Sequence, residues 1–196
     1  MAGTPRIPPA EITGFMGYLM KRFSRKMFGE VPEALGVGWN NRAVLNTMMG
    51  FGRKAERWTH LDPNLKSYAH MAVASLIGCS FCLDLHYFQV HNRGLDEVKA
   101  SEVPRWRESA VFMPLERDVM EYAEAMSTTP PHVTDELSDR LLEQLGAAAM
   151  VELAAWVGAA NMMTRSNIAM GVKSQGFSKV CALPLAKSSG PYIAPA

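Results

Sequence analysis

Residues 62–94 have the sequence DPNLKSYAHMAVASLIGCSFCLDLHYFQVHNRG, which predicts two helices separated by a short break. Asp62 followed by Pro63 is typical of a helix start, because the carboxylate accepts hydrogen bonds from free backbone N–H groups and proline suits the first helical position. Gly78 ends the first helix, and a second helix begins near Cys79. The break therefore places a cysteine pair at the start of a helix.

Helical spacing of apolar residues extends through the rest of the chain, and no stretch of useful length shows convincing β alternation. Pro32, Gly36 and Gly38 predict a loop, since proline and glycine interrupt helices. We therefore predict a compact, multi-helix, all-α fold. The helices predicted outside 62–94 are residues 11–28, 41–58 and 114–126, one that starts after Thr134, and a long one over 147–171.

The composition is that of a folded, globular chain. Of its 196 residues, 48% are hydrophobic and 20% are charged, which excludes a disordered chain. A net charge of +1 disfavours nucleic acid as a partner, and no apolar run reaches the roughly 18 residues of a membrane span. The first ten residues contain three prolines and lack the apolar core of a secretory signal. We expect a cytoplasmic protein that binds neither nucleic acid nor membrane.

The residues with the clearest chemistry are Cys79, Cys82 and His86, which form a CxxCxxxH pattern. On a helix these three positions lie within roughly 60° of one another, so both thiols and the imidazole share a face. A helix N-terminus favours thiolate over thiol, and the imidazole is a candidate proton acceptor. This set predicts a peroxidatic site, in which one cysteine is oxidised to a sulfenic acid and the other resolves it to a disulfide.

Other interpretations of the cysteines are open. The two thiols could be buried and inert, or they could bind zinc with His86 and either His70 or His91, although ligands so close on one helix make a tetrahedral site awkward. A c-type haem site is excluded because Leu83, not histidine, follows the second cysteine. Cys181 lies in a predicted loop or tail and is interpreted as incidental.

The sequence resembles the alkyl hydroperoxidase D-like branch of the carboxymuconolactone decarboxylase family. The resemblance lies in the CxxCxxxH pattern, in the HNRGL sequence at 91–95 and in several downstream segments. The resemblance implies a compact all-α fold and a homo-oligomer, a trimer or a multiple of one. It divides the chain into an N-terminal arm and helix (1–30), the family domain (31–180) and a C-terminal tail (181–196). The downstream segments are residues 115–117, 133–136, 152–153 and 161–167.

By this resemblance, Cys82 attacks the peroxide, Cys79 resolves the product and His86 belongs to a proton relay. The family relay usually includes a glutamate twelve residues before the first cysteine, where this chain has Ser67. Some family members also have a histidine between the cysteines, where this chain has Phe81. Two polar groups of the family site are therefore replaced.

Other carboxylates are candidates for the missing relay group: Asp62, Asp84 and Glu152. Because an unpaired carboxylate inside an apolar helix is costly, Glu152 also needs a partner. Arg165 is a candidate if the helix bends or if another subunit supplies the arginine.

The favoured function is that of a thiol-dependent peroxidase or disulfide oxidoreductase. Its substrate would be a hydroperoxide or disulfide, its reductant a dithiol such as a lipoyl-type protein, and it would need no metal, flavin or haem. One alternative is a carboxymuconolactone decarboxylase-like lyase, or a small-molecule-binding relative without peroxidase turnover. Another is a structural or zinc-binding oligomer.

Overall fold

Residues 5–187, which the computed structural model describes, contain helices and connecting segments but no strands. This confirms the predicted all-α fold. The helices are α1 (Gly14–Phe28), α2 (Glu33–Trp39), α3 (Arg42–Ala55), α4 (Pro63–Ile77), α5 (Ser80–Arg93), α6 (Glu97–Glu102), α7 (Pro114–Ser127) and α8 (Asp135–Met170), with 3-10 turns at Val103–Arg105 and Phe177–Val180. The outermost parts of the predicted arm and tail, residues 1–4 and 188–196, lie outside the described residues.

The boundaries of α4 follow the signals that the sequence carries. The Asp62 carboxylate accepts hydrogen bonds from the backbone N–H groups of Asn64 and Leu65, and Pro63 occupies the first helical position. The helix ends at Gly78, whose φ of 83° lies in the left-handed region that favours glycine. These local interactions orient α5, which begins two residues later.

The loop predicted around Gly36 and Gly38 is wrong, because these residues lie in the short helix α2. A Cβ atom on Gly36 would lie 2.8 Å from the Cβ atom of Pro9, and one on Gly38 would lie 2.9 Å from Cδ1 of Leu45. The glycines therefore allow the N-terminal arm and α3 to approach closely. A helix tolerates glycine at a cost of about 1 kcal/mol, which packing offsets here.

Helix α4 forms the centre of the core. Residues 65–74 are all buried, and α4 packs chiefly against α7 and α8.

Helix α8 combines the last two predicted helices, which meet at a kink where Gly146 has a non-helical φ of 77°. Within residues 5–187, only α8 is long and apolar enough to cross a membrane by length and composition. Its packing on two neighbours and its buried Glu152 are typical of a core helix.

Both ends of the described chain dock on this core. The Arg6 guanidinium donates to the carbonyl groups of Ile168 and Ala169 and so satisfies the free carbonyl end of α8. Near the C-terminus, the backbone N–H of Ala186 donates to the Ser101 carbonyl. The segment 181–187 consequently lies beside α6.

Candidate redox site

The two cysteines of the CxxC pair lie together at the start of α5. The Sγ atoms of Cys79 and Cys82 are 2.50 Å apart, and their Cα atoms are 5.4 Å apart, within the range that a disulfide spans. The residues are 1% and 3% exposed. The pair is therefore close enough to bond and is shielded from solvent.

Backbone geometry at the start of α5 favours negative charge on sulfur. Cys79 is the N-cap residue, and its Sγ atom accepts a hydrogen bond of 3.3 Å from the backbone N–H of Cys82. Because α5 begins at Ser80, both sulfurs lie beside its free N–H groups and the positive end of its dipole. On reduction, this position stabilises a thiolate relative to a thiol.

A polar side chain from α8 also reaches the pair. The Asn167 amide donates a hydrogen bond of 3.4 Å to Sγ of Cys82, and it does so from the last turn of α8. Sequence reasoning included Asn167 in the resemblance but assigned it no role. The available signal was one polar residue among several in the last turns of α8, which gives no indication of which neighbour it meets.

The two cysteines also belong to an apolar cluster, in which three of the six other buried residues are phenylalanines. The Phe28 ring lies 5.5 Å from that of Phe88 and 5.3 Å from that of Phe177, measured between centroids. Together with the burial of both cysteines, this cluster places the pair in an apolar environment shielded from solvent. The cluster joins Cys79 and Cys82 to buried Val37, Ala74, Phe81, Phe88, Val172 and Phe177.

His86, the third residue of the motif, stacks on a second imidazole. Its ring centroid lies 3.4 Å from that of His70, with an angle of 26° between the planes. Burial lowers the pKa of His70 to about 3. Burial, His70 and Arg93 together lower the pKa of His86 well below its ordinary value. Both rings are therefore neutral near pH 7, and a neutral imidazole can accept a proton.

Ser67 and Asp62, two of the polar residues considered for the relay, make local contacts within α4. The Ser67 hydroxyl donates to the Pro63 carbonyl over 2.9 Å, four residues earlier on the same helix. The Asp62 carboxylate caps the helix. Both contacts are ones that a helix terminus and its first turns ordinarily make.

Asp84 anchors the segment that follows α8. Its carboxylate accepts hydrogen bonds from the backbone N–H groups of Gly176, Phe177 and Ser178, and from the hydroxyl groups of Ser174 and Ser178. Burial alone would raise the pKa of Asp84, but these hydrogen bonds outweigh burial and lower it. The structure thus directs this carboxylate to the 3-10 turn, whose Phe177 belongs to the same apolar cluster as the two cysteines.

Glu152 is paired with Lys66, not with the candidate Arg165. The Lys66 Nζ atom lies 2.7 Å from the Glu152 carboxylate, and both side chains are less than 10% exposed. Lys66 also donates to the Trp58 carbonyl, and Glu152 accepts from the backbone N–H of His60. Burial raises the pKa of Glu152, but Lys66 and the hydrogen bonds produce a net lowering.

Arg165 does not pair with Glu152, because it makes a different contact. Its guanidinium donates to the Ser127 carbonyl over 2.6 Å, and Asn161 donates to the hydroxyl group of the same serine. Asn161 and Arg165, which are one helical turn apart, thus join α8 to the end of α7. This contact is a structural one.

Solved structures place the fold among AhpD-like proteins. An uncharacterized peroxidase-related protein from Ralstonia eutropha, described as an alkylhydroperoxidase AhpD core, matches with a TM-score of 0.79 and 13% identity over 94% of this chain and 100% of that one. A substituted debrominase Bmp8, solved in complex with 2,3,4-tribromopyrrole, matches with a TM-score of 0.77 and 19% identity over 90% of this chain and 95% of that one. At these identities the likeness establishes the fold.

The chain matches the sequence model of the carboxymuconolactone decarboxylase family over residues 42–125. It is 38% identical over 120 residues to the uncharacterized protein YnjA of Escherichia coli, and the match covers 61% of this chain and 66% of that protein. It is 26% identical over 119 residues to the uncharacterized protein YdfG of Bacillus subtilis, covering 60% of this chain and 81% of that protein.

Proposed function

We propose that the protein is a thiol oxidoreductase that reduces hydroperoxides through Cys79 and Cys82. The observation that carries this proposal is the position of both sulfurs, within bonding distance at the start of α5, where backbone N–H groups and the Asn167 amide favour a thiolate. A pair so placed can alternate between dithiol and disulfide without a large backbone movement.

The resemblance assigns the first step to Cys82. Its thiolate attacks the terminal peroxide oxygen, the O–O bond breaks, Cys82 becomes a sulfenic acid, and the alkoxide takes a proton and leaves as an alcohol. The Cys79 thiolate then attacks the sulfenic sulfur, and the departing hydroxide takes a proton to form water. One hydroperoxide and two thiols thus yield one alcohol, one water and one disulfide. His86 is the proposed proton acceptor for a departing thiol proton.

The surroundings of the sulfurs support an apolar substrate. Phe28, Phe88 and Phe177 present hydrocarbon beside the pair, so an alkyl hydroperoxide is favoured over a charged one. The disulfide would be reduced by a dithiol through exchange, and the resemblance favours a lipoyl-type carrier. We place this activity in the cytoplasm, where thiols are kept reduced.

We also propose that the chain assembles as a homo-oligomer, a trimer or a multiple of one. The support is the outer face of α1, where Phe15 is 77% exposed and Phe23 is 60% exposed. Exposed aromatic side chains on one helix are typical of an interface. Light scattering on the purified chain tests this proposal, and a monomer at micromolar concentration would contradict it.

Three single variants test the redox function. Cys82→Ser should abolish reaction with an alkyl hydroperoxide, whereas Cys79→Ser should react once and retain a sulfenic acid on Cys82. His60→Gln, which alters an exposed histidine, is the control for His86→Gln, which should slow the reaction. Equal peroxide consumption by Cys82→Ser and the parent protein would contradict the proposal.

A second candidate is a lyase or small-molecule-binding protein that retains the family scaffold. The observation that favours it is Ser67, whose hydroxyl is bonded to Pro63 at the position where the resemblance expects a relay carboxylate. Such a protein would act on or bind its ligand equally well after Cys82→Ser. The same variant therefore separates the two candidates.

A further inference from the structure

Three side chains with metal-binding atoms meet at the far end of α5 from the cysteine pair. His91 lies in the last turn of α5, Glu97 begins α6, and Cys181 follows the 3-10 turn near the C-terminus. Their ligand atoms all lie within 4.8 Å of one another, and Nδ1 of His91 is 2.8 Å from Oε2 of Glu97. All three residues are half-buried.

The Glu97 carboxylate is held in position by its other oxygen. Oε1 accepts a hydrogen bond of 2.7 Å from the backbone N–H of Ala182, and the hydroxyl of Tyr87 lies 3.5 Å from it. Tyr87 in turn donates to the Leu183 carbonyl over 2.7 Å. Oε2 is consequently directed at His91, and a carboxylate oriented by outer hydrogen bonds is a typical feature of metal sites.

We propose that His91, Glu97 and Cys181 bind a zinc ion, with water at the fourth position. Thiolate, imidazole and carboxylate are the ligands that Zn²⁺ takes in proteins, and three protein ligands plus water complete a tetrahedron. On binding, the Cys181 thiol releases its proton to solvent, and His91, whose Nδ1 faces the ion, carries its proton on Nε2.

The zinc ion would fasten the C-terminal segment to α5 and α6. Two ligands belong to adjacent helices and the third to a segment that otherwise docks through hydrogen bonds and a few apolar contacts. Because α5 also carries the CxxC pair at its other end, the ion would stabilise the helix on which the redox site is built. The proposal does not depend on peroxidase activity.

Zinc binding is best measured on protein whose Cys79–Cys82 disulfide is formed, because Cys181 is then the only remaining thiol of the three cysteines. Competition with a chelating dye should show one Zn²⁺ per chain, and Co²⁺ should give a thiolate-to-metal charge-transfer band. Cys181→Ser and His91→Ala should each weaken binding at least about tenfold. His60→Ala, which removes an exposed histidine, should leave the affinity unchanged.

A second readout uses the parent chain and so does not depend on the folding of a variant. Saturating Zn²⁺ should slow alkylation of Cys181 at least tenfold, as followed by peptide mass, and a chelator should restore the rate. Alkylation at an unchanged rate, a cobalt spectrum without a thiolate band, or equal affinity in all variants would overturn the proposal. These results are independent of whether Cys82 reacts with hydroperoxide.

Discussion

Replacing Asn167 with alanine should make Cys82 less reactive without altering the fold of the cysteine turn. The Asn167 amide donates to Sγ of Cys82 over 3.4 Å, and we expect the same donor to face the sulfur when the pair is reduced. A hydrogen bond to a charged group contributes about 1.5–3 kcal/mol, and the long contact to sulfur favours the lower value. Losing about 1.5 kcal/mol from the thiolate alone lowers its population about tenfold.

The assay is alkylation of the reduced protein by iodoacetamide at pH 7, with the modified Cys82 peptide quantified by mass. Asn167→Ala should slow alkylation of Cys82 about tenfold, while the rate approaches that of the parent at alkaline pH, where both sulfurs are ionised. Asn167→Asp should slow it further, because a carboxylate repels the thiolate.

The matched control is Asn161→Ala, which removes an asparagine six residues earlier on α8 whose amide donates to the Ser127 hydroxyl and not to sulfur. This variant should alkylate at the parent rate. Equal rates for Asn167→Ala and the parent at pH 7 would refute the reasoning, as would a loss of rate that persists at alkaline pH.

Three further predictions concern stability. Lowering the pH from 8 to 5 should reduce the free energy of unfolding by about 2 kcal/mol through His70. The reason is that His70 in the unfolded chain takes up a proton near pH 6.5, whereas the buried ring, with a pKa of about 3, does not. Urea unfolding of His70→Phe should lack this contribution. Lys66→Met should lower the free energy of unfolding by about 3–5 kcal/mol, because it leaves the Glu152 carboxylate buried and unpaired. Adding Glu152→Leu to this variant should recover most of the lost stability. A Lys66→Met variant within about 1 kcal/mol of the parent would contradict the prediction. Gly171→Ala should lower the melting temperature, since φ is 77° and the new Cβ would lie 2.7 Å from the Arg6 nitrogen.

Sequence reasoning succeeded where the interactions are local. Asp62 followed by Pro63 specifies the start of α4 through contacts within three residues, and Gly78 specifies its end through its own backbone conformation. The same logic places Cys79 and Cys82 in the first turn of α5. A pattern over a few residues contains all the information that these features need.

Tertiary contacts explain what sequence reasoning missed. Gly36 is needed for the approach of Pro9, 27 residues earlier, so the helical state of α2 depends on a contact that no local pattern encodes. Asn167 and His70 meet Cys82 and His86 only because α8 and α4 cross α5 at particular points. Lys66 likewise finds Glu152 across the core.

The most direct test of the redox proposal is to add one equivalent of an alkyl hydroperoxide to the fully reduced chain and to map the products by peptide mass. The proposal predicts rapid loss of two hydrogen atoms, localised to a link between Cys79 and Cys82, and one alcohol formed per disulfide. Cys79 and Cys82 recovered as free thiols, with the hydroperoxide intact, would contradict it.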